Sequence, residues 1–275
     1  MTTRPSSVAI AGLGAIGGSL ALALRESGTA VVGFAGREDC ALATRAGVLV
    51  AQTLASAVRG AGLVVLAVPT GVLRDAAGVV RTLTQVPVLH VASVQRAASL
   101  GFGPDEWVPL GTHPIAGTHR SGFAAADKGM FRGARVSIEA RASADERRVA
   151  EWLWTTVGAG RVEYRDAAAH DRQMAWVSHL PQLASVALAS AVMRGGESPS
   201  ALGPGGRDGT RLAASGFSMW RDILGANADE VAPALECLER EVRALREAIA
   251  AGEPDRIRDA WERARVWREG RRSST

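Results

Sequence analysis

The chain of 275 residues is 47% hydrophobic and carries a net charge of +4, so it can bury a sizeable core in one or two domains. Much of the excess positive charge lies near the C-terminal RREGRRSST, which predicts a solvated tail, and without a recognition module we expect no nucleic-acid partner. Cys40 and Cys237 have no metal-ligand spacing, and no segment has the apolar length of a signal peptide or membrane span, so we predict a cytoplasmic protein with neither metal nor membrane partner.

The N-terminal segment predicts a strand, a glycine turn and a helix in direct succession. Residues 8–11 form a short apolar run, and apolar residues recur at helical spacing after the turn. The glycines between them have G-x-G-x-x-G spacing, which in this context indicates a dinucleotide-binding turn whose helix N-terminus faces the phosphates. A glycine-rich turn without a ligand is the alternative. The predicted cofactor contacts here are Gly12, Gly14, Ala15, Ile16 and Gly17.

The end of the second predicted strand, Ala30–Phe34, indicates which nucleotide is bound. NAD-binding sheets place Asp or Glu at this point to bind the ribose 2′-hydroxyl. This chain has Ala35, Gly36 and Arg37 instead, and the arginine fork matches phosphate oxygens. We therefore predict NADP as the cofactor, with NAD and an ordinary surface role for Arg37 as the alternative.

Further apolar runs predict more strands that alternate with helices. The strands are expected at residues 63–68, 86–91, 108–110, 136–138 and 161–164, and the helices near 38–46 and 144–157. This alternation predicts an α/β fold with an N-terminal Rossmann-type, doubly wound parallel sheet. Because Val68 and Pro69 end a strand at the edge where such sheets bind ligands, they are predicted cofactor contacts.

The pattern changes at Asp166, after which we find no convincing strand. Asp166 is the predicted N-cap of a long helix that ends near Met193. A loop is expected at residues 195–209, followed by helices at 210–226, 231–251 and 254–267. We therefore divide the chain into a dinucleotide-binding domain, residues 1–165, and an all-α substrate and dimerisation domain, residues 166–275. The apolar surface of the second domain predicts packing against a second subunit, in a homodimer.

The segment GTHPIAGTHRSG, residues 111–122, follows a predicted strand and is expected to open onto the cleft beside the nicotinamide. A neutral imidazole of His113 at this place would accept a proton from a substrate hydroxyl. Ser93, which follows a neighbouring strand, would orient the same hydroxyl. A structural role for His113 is the alternative, since a lone histidine is more often structural.

Two polar groups interrupt the helical half. The stretch WVSHLPQ contributes three candidates for a substrate pocket: Ser178, His179 and Gln182. Pro181 kinks this helix, which indicates either a pocket wall or a helix junction. In TRLAASGFSMWRDI, Arg211 and Arg221 are candidate clamps for a substrate carboxylate, because bidentate Arg–carboxylate pairs supply both energy and orientation.

Taken in this order, the motifs resemble the prephenate/arogenate (cyclohexadienyl) dehydrogenase family over nearly the whole chain. The matching stretches are GLGAIGGSLALAL, SVQ, GTHPIAGTHRSG followed by GMF, AWVSHLP and TRLAASGFSMWRDI. The resemblance implies a nicotinamide cofactor, a helical dimer-forming domain and oxidative decarboxylation of a cyclohexadienyl acid to a 4-hydroxyphenyl product. It implies that His113 is the catalytic histidine, Ser93 the serine beside it and Arg211 the arginine that binds the substrate carboxylate.

The chain departs from the family pattern at several positions. The family usually has Asp and Lys around the serine, a glutamate after the glycine loop and a second histidine in HLPH. This chain has, in that order, His90, Gln95, His119 and Gln182. Because the Gln182 amide both donates and accepts hydrogen bonds, we expect arogenate or another amine-bearing analogue to be used at least as well as prephenate.

Two alternative functions fit parts of the sequence. A β-hydroxyacid dehydrogenase would share the sheet and the helical second domain, but it would carry a catalytic lysine on the first long helix of that domain. Residues 166–193 contain no lysine. A non-catalytic regulator that senses NADP would not require His113, Ser93 and Arg211 together.

Overall fold

The computed structural model describes residues 4–118 and 120–270. His119 and the C-terminal end of the arginine-rich tail therefore lie outside the described residues. Residues up to 228 form one compact unit, and those from 229 onward form a second. The domain division predicted between residues 165 and 166 stays a prediction.

An eight-stranded sheet forms the centre of the first unit. Its strands follow the order β3-β2-β1-β4-β5-β6-β7-β8, and neighbours are parallel except β6 and β7. The bounds are β1 (Ser7–Ala11), β2 (Ala30–Phe34), β3 (Leu49–Val50), β4 (Leu63–Leu66), β5 (Val88–His90), β6 (Leu110–Ile115), β7 (Arg135–Glu139) and β8 (Arg161–Arg165). This order, with helices between the strands, confirms the Rossmann-type doubly wound fold. The β6–β7 pair departs from the expected parallel sheet. The described residues of its connection, 116–118 and 120–134, include no α-helix, which is the usual crossover between parallel strands.

Helices lie between several of the strands and make up most of the described chain after β8. They are α1 (Ala15–Glu26), α2 (Arg37–Arg45), α3 (Leu54–Val58), α4 (Thr70–Leu83), α5 (Ala144–Thr156), α6 (Ala167–Met174), α7 (Leu180–Arg194), α8 (Pro204–Thr210), α9 (Phe217–Ala226), α10 (Ala228–Ala250) and α11 (Pro254–Glu269). No strand occurs within residues 166–270, as predicted.

Alternation along β1 shows how the sheet is buried on both faces. Val8 and Ile10 belong to one apolar core, which includes side chains of α1 and α5. Ala9 and Ala11 belong to the other core, which includes side chains of α3, α4 and α9. Because both faces are covered, the edge formed by the carboxyl ends of the parallel strands is where a ligand has access to the sheet.

Two of the predicted local structures differ from those observed, and two short elements were not predicted. The strand expected to end at Leu110 continues to Ile115, because antiparallel pairing with β7 carries it through Pro114. The loop expected at residues 195–209 contains most of α8, which has Pro204 in its first turn, where proline costs no hydrogen bond. The short elements β3 and α3 were not predicted, since two and five residues are too few to show a period.

The helix predicted from Asp166 to about Met193 consists of three segments. Asp166 caps it as predicted, since its side chain accepts hydrogen bonds from the N–H groups of Ala168 and Ala169 at 3.0 and 3.1 Å. A π-helical turn, Ala175–His179, separates α6 from α7. It lies just before Pro181, which has no N–H to donate and whose ring would clash with the preceding turn of a regular helix. The π turn therefore accommodates the proline without ending the helix.

Much of the second unit consists of α10 and α11. Large apolar side chains are exposed on these two helices: Val242, Leu245, Ile249, Trp261, Val266 and Trp267. Within the described part of the chain, no helix has both the length and the apolar character needed to cross a bilayer.

Candidate active site

Each glycine of the turn between β1 and α1 meets a separate requirement. Gly12 has φ +92°, which favours glycine, and a Cβ there would lie 2.3 Å from the carbonyl oxygen of Ala67. A Cβ on Gly17 would lie 1.9 Å from the carbonyl oxygen of Gly12, whereas nothing lies within 4 Å of the Cβ position of Gly14. The turn thus brings the free N–H groups of the first turn of α1, from Ala15 on, to an open surface that fits a pyrophosphate.

The end of β2 borders a cleft of about 430 Å³. Arg37, exposed in the first turn of α2, lines this cleft together with Ser121 and Gly122. The carboxylate of Asp39 accepts a 2.7 Å hydrogen bond from the Phe123 N–H, so it binds the segment that follows β6. Arg37 makes no hydrogen bond or ion pair within residues 4–118 and 120–270, and its guanidinium remains available to a ligand in this cleft.

Val68 and Pro69 lie at the end of β4, beside the glycine turn. The N–H of Ala67 donates to the carbonyl oxygen of Ala11 at 2.7 Å, which places the two chain segments next to each other. Val68 is half-buried, and Pro69 is exposed at the N-cap of α4. Both residues therefore lie on the same edge of the sheet as the glycines.

His113 lies within β6, not beyond its end as predicted. The pairing of β5 with β6 ends at His90 and Gly111, so His113 is two residues beyond the last parallel pair. Ser93 follows the end of β5 by three residues, as expected. Both side chains are half-buried, and both lie at the carboxyl edge of the parallel strands. The antiparallel continuation of β6 therefore leaves His113 at the predicted edge of the sheet.

A chain of hydrogen bonds extends from His113 into the protein. Its Nδ1 lies 3.0 Å from Nε2 of His170, whose Nδ1 lies 2.8 Å from Oδ1 of Asp171. His170 and Asp171 are fully buried. The Asp171 carboxylate also accepts hydrogen bonds from the N–H groups of Gln95 and Arg96, at 2.8 and 2.9 Å. Desolvation, reinforced by the neighbouring histidines, holds the pKa of His113 well below its ordinary range, so the imidazole is neutral at pH 7.

His179 is connected to the same buried cluster. The Asn227 amide donates to Nδ1 of His179 at 3.3 Å and to the Asp171 carbonyl oxygen at 2.9 Å, and it accepts from Arg96 at 2.8 Å. Burial is the main reason that the pKa of His179 falls to about 4. Because the neutral ring accepts at Nδ1, its proton is on Nε2, where it is a hydrogen-bond donor. Ser178, one residue earlier in the π turn, is half-buried.

The segment with the two candidate arginines packs against α7. Gln182 is 4% exposed, and its amide donates to the carbonyl oxygen of Leu212 at 2.8 Å, next to Arg211. Arg211 is exposed and makes no ion pair with any described residue, whereas Arg221 pairs with Asp222 at 2.9 Å. Of the two arginines, Arg211 is thus the one available to a carboxylate.

The residues that replace the usual Asp and Lys near Ser93 are buried and neutral. The His90 Nδ1 accepts a 3.3 Å hydrogen bond from the Ala92 N–H, and burial is the main reason that its pKa falls to about 3. The side chain of Gln95 donates to the carbonyl oxygen of Ser137 at 2.9 Å. At both positions a side chain that the family pattern would make charged is therefore a neutral hydrogen-bonding group.

The hydrogen-bonded residues around His113 and His179 form what we call the histidine cluster. Sequence reasoning missed three of its members: His170, Asp171 and Asn227. The first two are adjacent on α6, but their partners are 57 and 76 residues away in the chain. The one signal in the sequence was a pair of polar residues one turn after the predicted N-cap, and such a pair does not identify a partner.

Comparison with known proteins shows which family has a similar sequence. The family model described as the nucleotide-binding domain of prephenate dehydrogenase matches residues 20–162, and that of its dimerization domain matches residues 166–262. The prephenate dehydrogenase of Bacillus subtilis is 27% identical over 98% of this chain and 77% of its own length. The cyclohexadienyl dehydrogenase of Zymomonas mobilis is 29% identical over 90% of both chains.

Solved structures agree with the sequence matches. The prephenate dehydrogenase of Aquifex aeolicus, solved with hydroxyphenyl propionate and NAD⁺, superposes with a TM-score of 0.85 at 26% identity, over 98% of this chain and 99% of its own. A dinucleotide-binding turn, a neutral histidine at the sheet edge and a helical second half define an oxidoreductase of the dehydrogenase class. Within this class, the chain belongs to the prephenate dehydrogenase family. This membership favours the main prediction over the β-hydroxyacid dehydrogenase and the non-catalytic regulator.

Proposed function

We propose that the protein is an NADP-preferring cyclohexadienyl dehydrogenase that converts prephenate, arogenate or a close analogue to its 4-hydroxyphenyl product. The observation that carries this proposal is the neutral imidazole of His113 at the sheet edge that also bears the glycine turn. The reaction removes a proton from a hydroxyl group and a hydride from the carbon that bears it. It therefore requires a base and a cofactor site close together, here on one edge of the sheet.

The chain's part in the cofactor site is to hold the phosphates and the ribose. Gly12 and Gly17 shape the turn, while the N–H groups at the start of α1 bind the pyrophosphate above Gly14. Val68 and Pro69 contact the cofactor from the end of β4. When bound, the nicotinamide supplies the acceptor for the substrate's hydride.

His113 supplies the base for the reaction. Its Nε2 takes the proton of the ring hydroxyl, which Ser93 orients, as hydride leaves the carbon that bears this hydroxyl. The bond between the ring and its carboxylate then breaks, and its electron pair makes the ring aromatic as CO₂ leaves. The proton returns from His113 to the phenolate oxygen, so no net proton is consumed at this histidine. Aromatisation drives the reaction, and the protein provides position and charge.

The helical residues bind the rest of the substrate. The exposed Arg211 binds a substrate carboxylate, and His179 offers its Nε2–H as a donor to an anionic or carbonyl oxygen, with Ser178 beside it. Because the Gln182 amide nitrogen donates to the Leu212 carbonyl, its own carbonyl oxygen is the end that remains to accept a hydrogen bond from a ligand. An acceptor suits the ammonium of arogenate better than the ketone of prephenate, which supports use of arogenate at least as well as prephenate.

The preference for NADP and the homodimer are part of the same proposal. The exposed, unpaired Arg37 beside the 430 Å³ cleft suits a 2′-phosphate, and no carboxylate follows β2 directly. The match to a dimerization domain at residues 166–262 and the exposed apolar side chains of α10 and α11 support a homodimer. Sedimentation equilibrium is expected to give twice the mass of one chain, and the mass of a single chain would contradict the dimer.

Steady-state kinetics test the proposed activity. Purified protein is mixed with NADP or NAD and with prephenate or arogenate, and formation of the reduced nicotinamide is followed by absorbance. We expect turnover with release of CO₂ and a higher kcat/KM with NADP. No turnover with either acid, at saturating NADP and NAD, would refute the assignment.

A further inference from the structure

We infer that His170 and Asp171 act together as positioning residues that hold His113 in the one neutral tautomer able to accept a proton at Nε2. This inference rests on the proposed role of His113 as the base, and it concerns two residues that do not contact the substrate in that mechanism.

The first step concerns the pair on α6. The Asp171 carboxylate accepts hydrogen bonds through both oxygens, from the backbone N–H groups of Gln95 and Arg96 and from Nε–H of Arg96. The 2.8 Å contact between Asp171 Oδ1 and His170 Nδ1 therefore requires that the histidine donate through Nδ1. In a neutral imidazole this leaves Nε2 of His170 as an acceptor.

The second step concerns the effect of the His170 tautomer on His113. Nε2 of His170, now an acceptor, lies 3.0 Å from Nδ1 of His113, so His113 must donate through Nδ1. The neutral His113 ring then has its lone pair on Nε2. The ring planes are at 81° to each other and the centroids are 5.1 Å apart, so the two nitrogens lie between the ring centres, as an N–H···N hydrogen bond requires.

Burial makes it energetically unfavourable to reverse the direction of these two hydrogen bonds, from His113 to His170 and from His170 to Asp171. His170 and Asp171 are fully buried, and an unsatisfied buried donor or acceptor costs the desolvation of that group. If His113 carried its proton on Nε2, both Nδ1 of His113 and Nε2 of His170 would be acceptors facing each other at 3.0 Å. The buried carboxylate thus determines, through one ring, which nitrogen of the next ring is basic.

Nitrogen-15 NMR of the histidine rings tests the inference without turnover. In the folded wild-type dimer at neutral pH, we expect the Nδ1 of His113 and of His170 to be protonated and their Nε2 to be unprotonated. His179 is the internal comparison, because its contact with Asn227 requires the proton on Nε2. A wild-type His113 with its proton on Nε2 would overturn the inference whatever the enzyme's activity.

Two substitutions at His170 separate positioning from folding. His170→Phe removes the acceptor, and we expect kcat to fall by about 10–10²-fold with little change in cofactor affinity, since base catalysis contributes at most about 10²–10⁴-fold. His170→Gln keeps an amide oxygen that can accept from His113, and we expect it to recover part of the lost kcat. Gln173→Ala, on the same helix, is the control for general disturbance of α6.

The outcomes distinguish this inference from the proposed function. A His170→Phe variant that folds and keeps kcat within about threefold of wild type would refute positioning by His170, since base catalysis is worth far more. Wild-type protein that shows the expected tautomers but does not turn over cyclohexadienyl acids would refute the proposed function and leave the inference about His113 standing.

Discussion

The glycine turn and the histidine cluster lie on one edge of the same sheet, yet they are specified in different ways. The turn is built from residues within one short segment, and nearby backbone requires glycine at two of its positions, Gly12 and Gly17. The cluster joins β6, α6 and the region around Asn227, with hydrogen-bond partners up to 131 residues apart. A local motif thus forms the proposed phosphate site, whereas the protonation state of His113, the proposed base, depends on the completed tertiary structure.

This difference predicts different failures. Changes in the cofactor site should alter which nucleotide binds or how tightly, because its contacts are separate and partly exposed. Changes in the histidine cluster should alter turnover, because one ring determines the state of the next. The predictions that follow test this contrast, from the largest expected effect to the smallest.

His113→Asn should keep cofactor binding and lose turnover. Asparagine fits the site but cannot take a proton, and a positioned base contributes about 10²–10⁴-fold to the rate. The measurement is kcat under saturating substrate, with cofactor affinity by fluorescence titration as the control. A variant that keeps more than about a tenth of the wild-type rate would show that another group is the base.

Arg37→Ala should weaken NADP by about 10–100-fold and leave NAD almost unchanged, since a hydrogen bond to a charged group is worth roughly 1.5–3 kcal/mol. Ala35→Asp should shift the preference towards NAD, because it adds a ribose partner and repels the 2′-phosphate. Both changes are measured as the ratio of kcat/KM for the two cofactors. If the wild-type enzyme prefers NAD, Arg37 does not determine the choice.

Arg211→Ala should raise the substrate KM by about 10–100-fold with little effect on cofactor affinity, through loss of a charged hydrogen bond. Arg221→Ala is the matched comparison, because that guanidinium already pairs with Asp222. An unchanged KM for Arg211→Ala, together with a raised one for Arg221→Ala, would move the carboxylate clamp to Arg221.

The buried histidines should make the protein less stable in acid. The unfolded chain protonates histidine near pH 6.5, whereas folded His179 and His90 stay neutral down to about pH 4 and 3. Below pH 6.5 the unfolded state thus binds more protons, and each histidine should lower the free energy of unfolding by about 1.4 kcal/mol per pH unit. Urea titrations between pH 6.5 and 5 measure this slope, which His90→Gln should reduce. An unchanged slope would show that His90 is protonated in the folded protein.

Gln182→His should shift the ratio of kcat/KM values towards prephenate by several-fold, because an imidazole N–H suits a ketone. The ratio for prephenate over arogenate is compared between wild type and variant at one pH. A strictly prephenate-specific wild type, or an unchanged ratio, would show that Gln182 does not read the substrate side chain.

The sequence predicted best what short-range rules determine. The glycine turn, β2, the cap at Asp166 and the order of strands and helices follow from spacing and from turn chemistry. The C-terminal end of β6 was predicted too early, because pairing with β7, which lies later in the sequence, extends this strand through Pro114. His170 and Asp171 were missed because their role depends on contact with His113, which lies on β6 and is distant in the sequence.

The π turn at Ala175–His179 also bears on how this protein is compared with its relatives. A π turn amounts to one residue more than a regular helix needs, and one residue corresponds to a rotation of about 100° around the helix axis. The π turn absorbs this extra residue, so that Gln182 and Ser185 stay on the buried side. In a regular helix of the same length, both side chains would be rotated away from that side. An alignment with a relative that lacks this π turn therefore needs a gap of one residue before Pro181, because without the gap the wrong side chains would be assigned to the pocket.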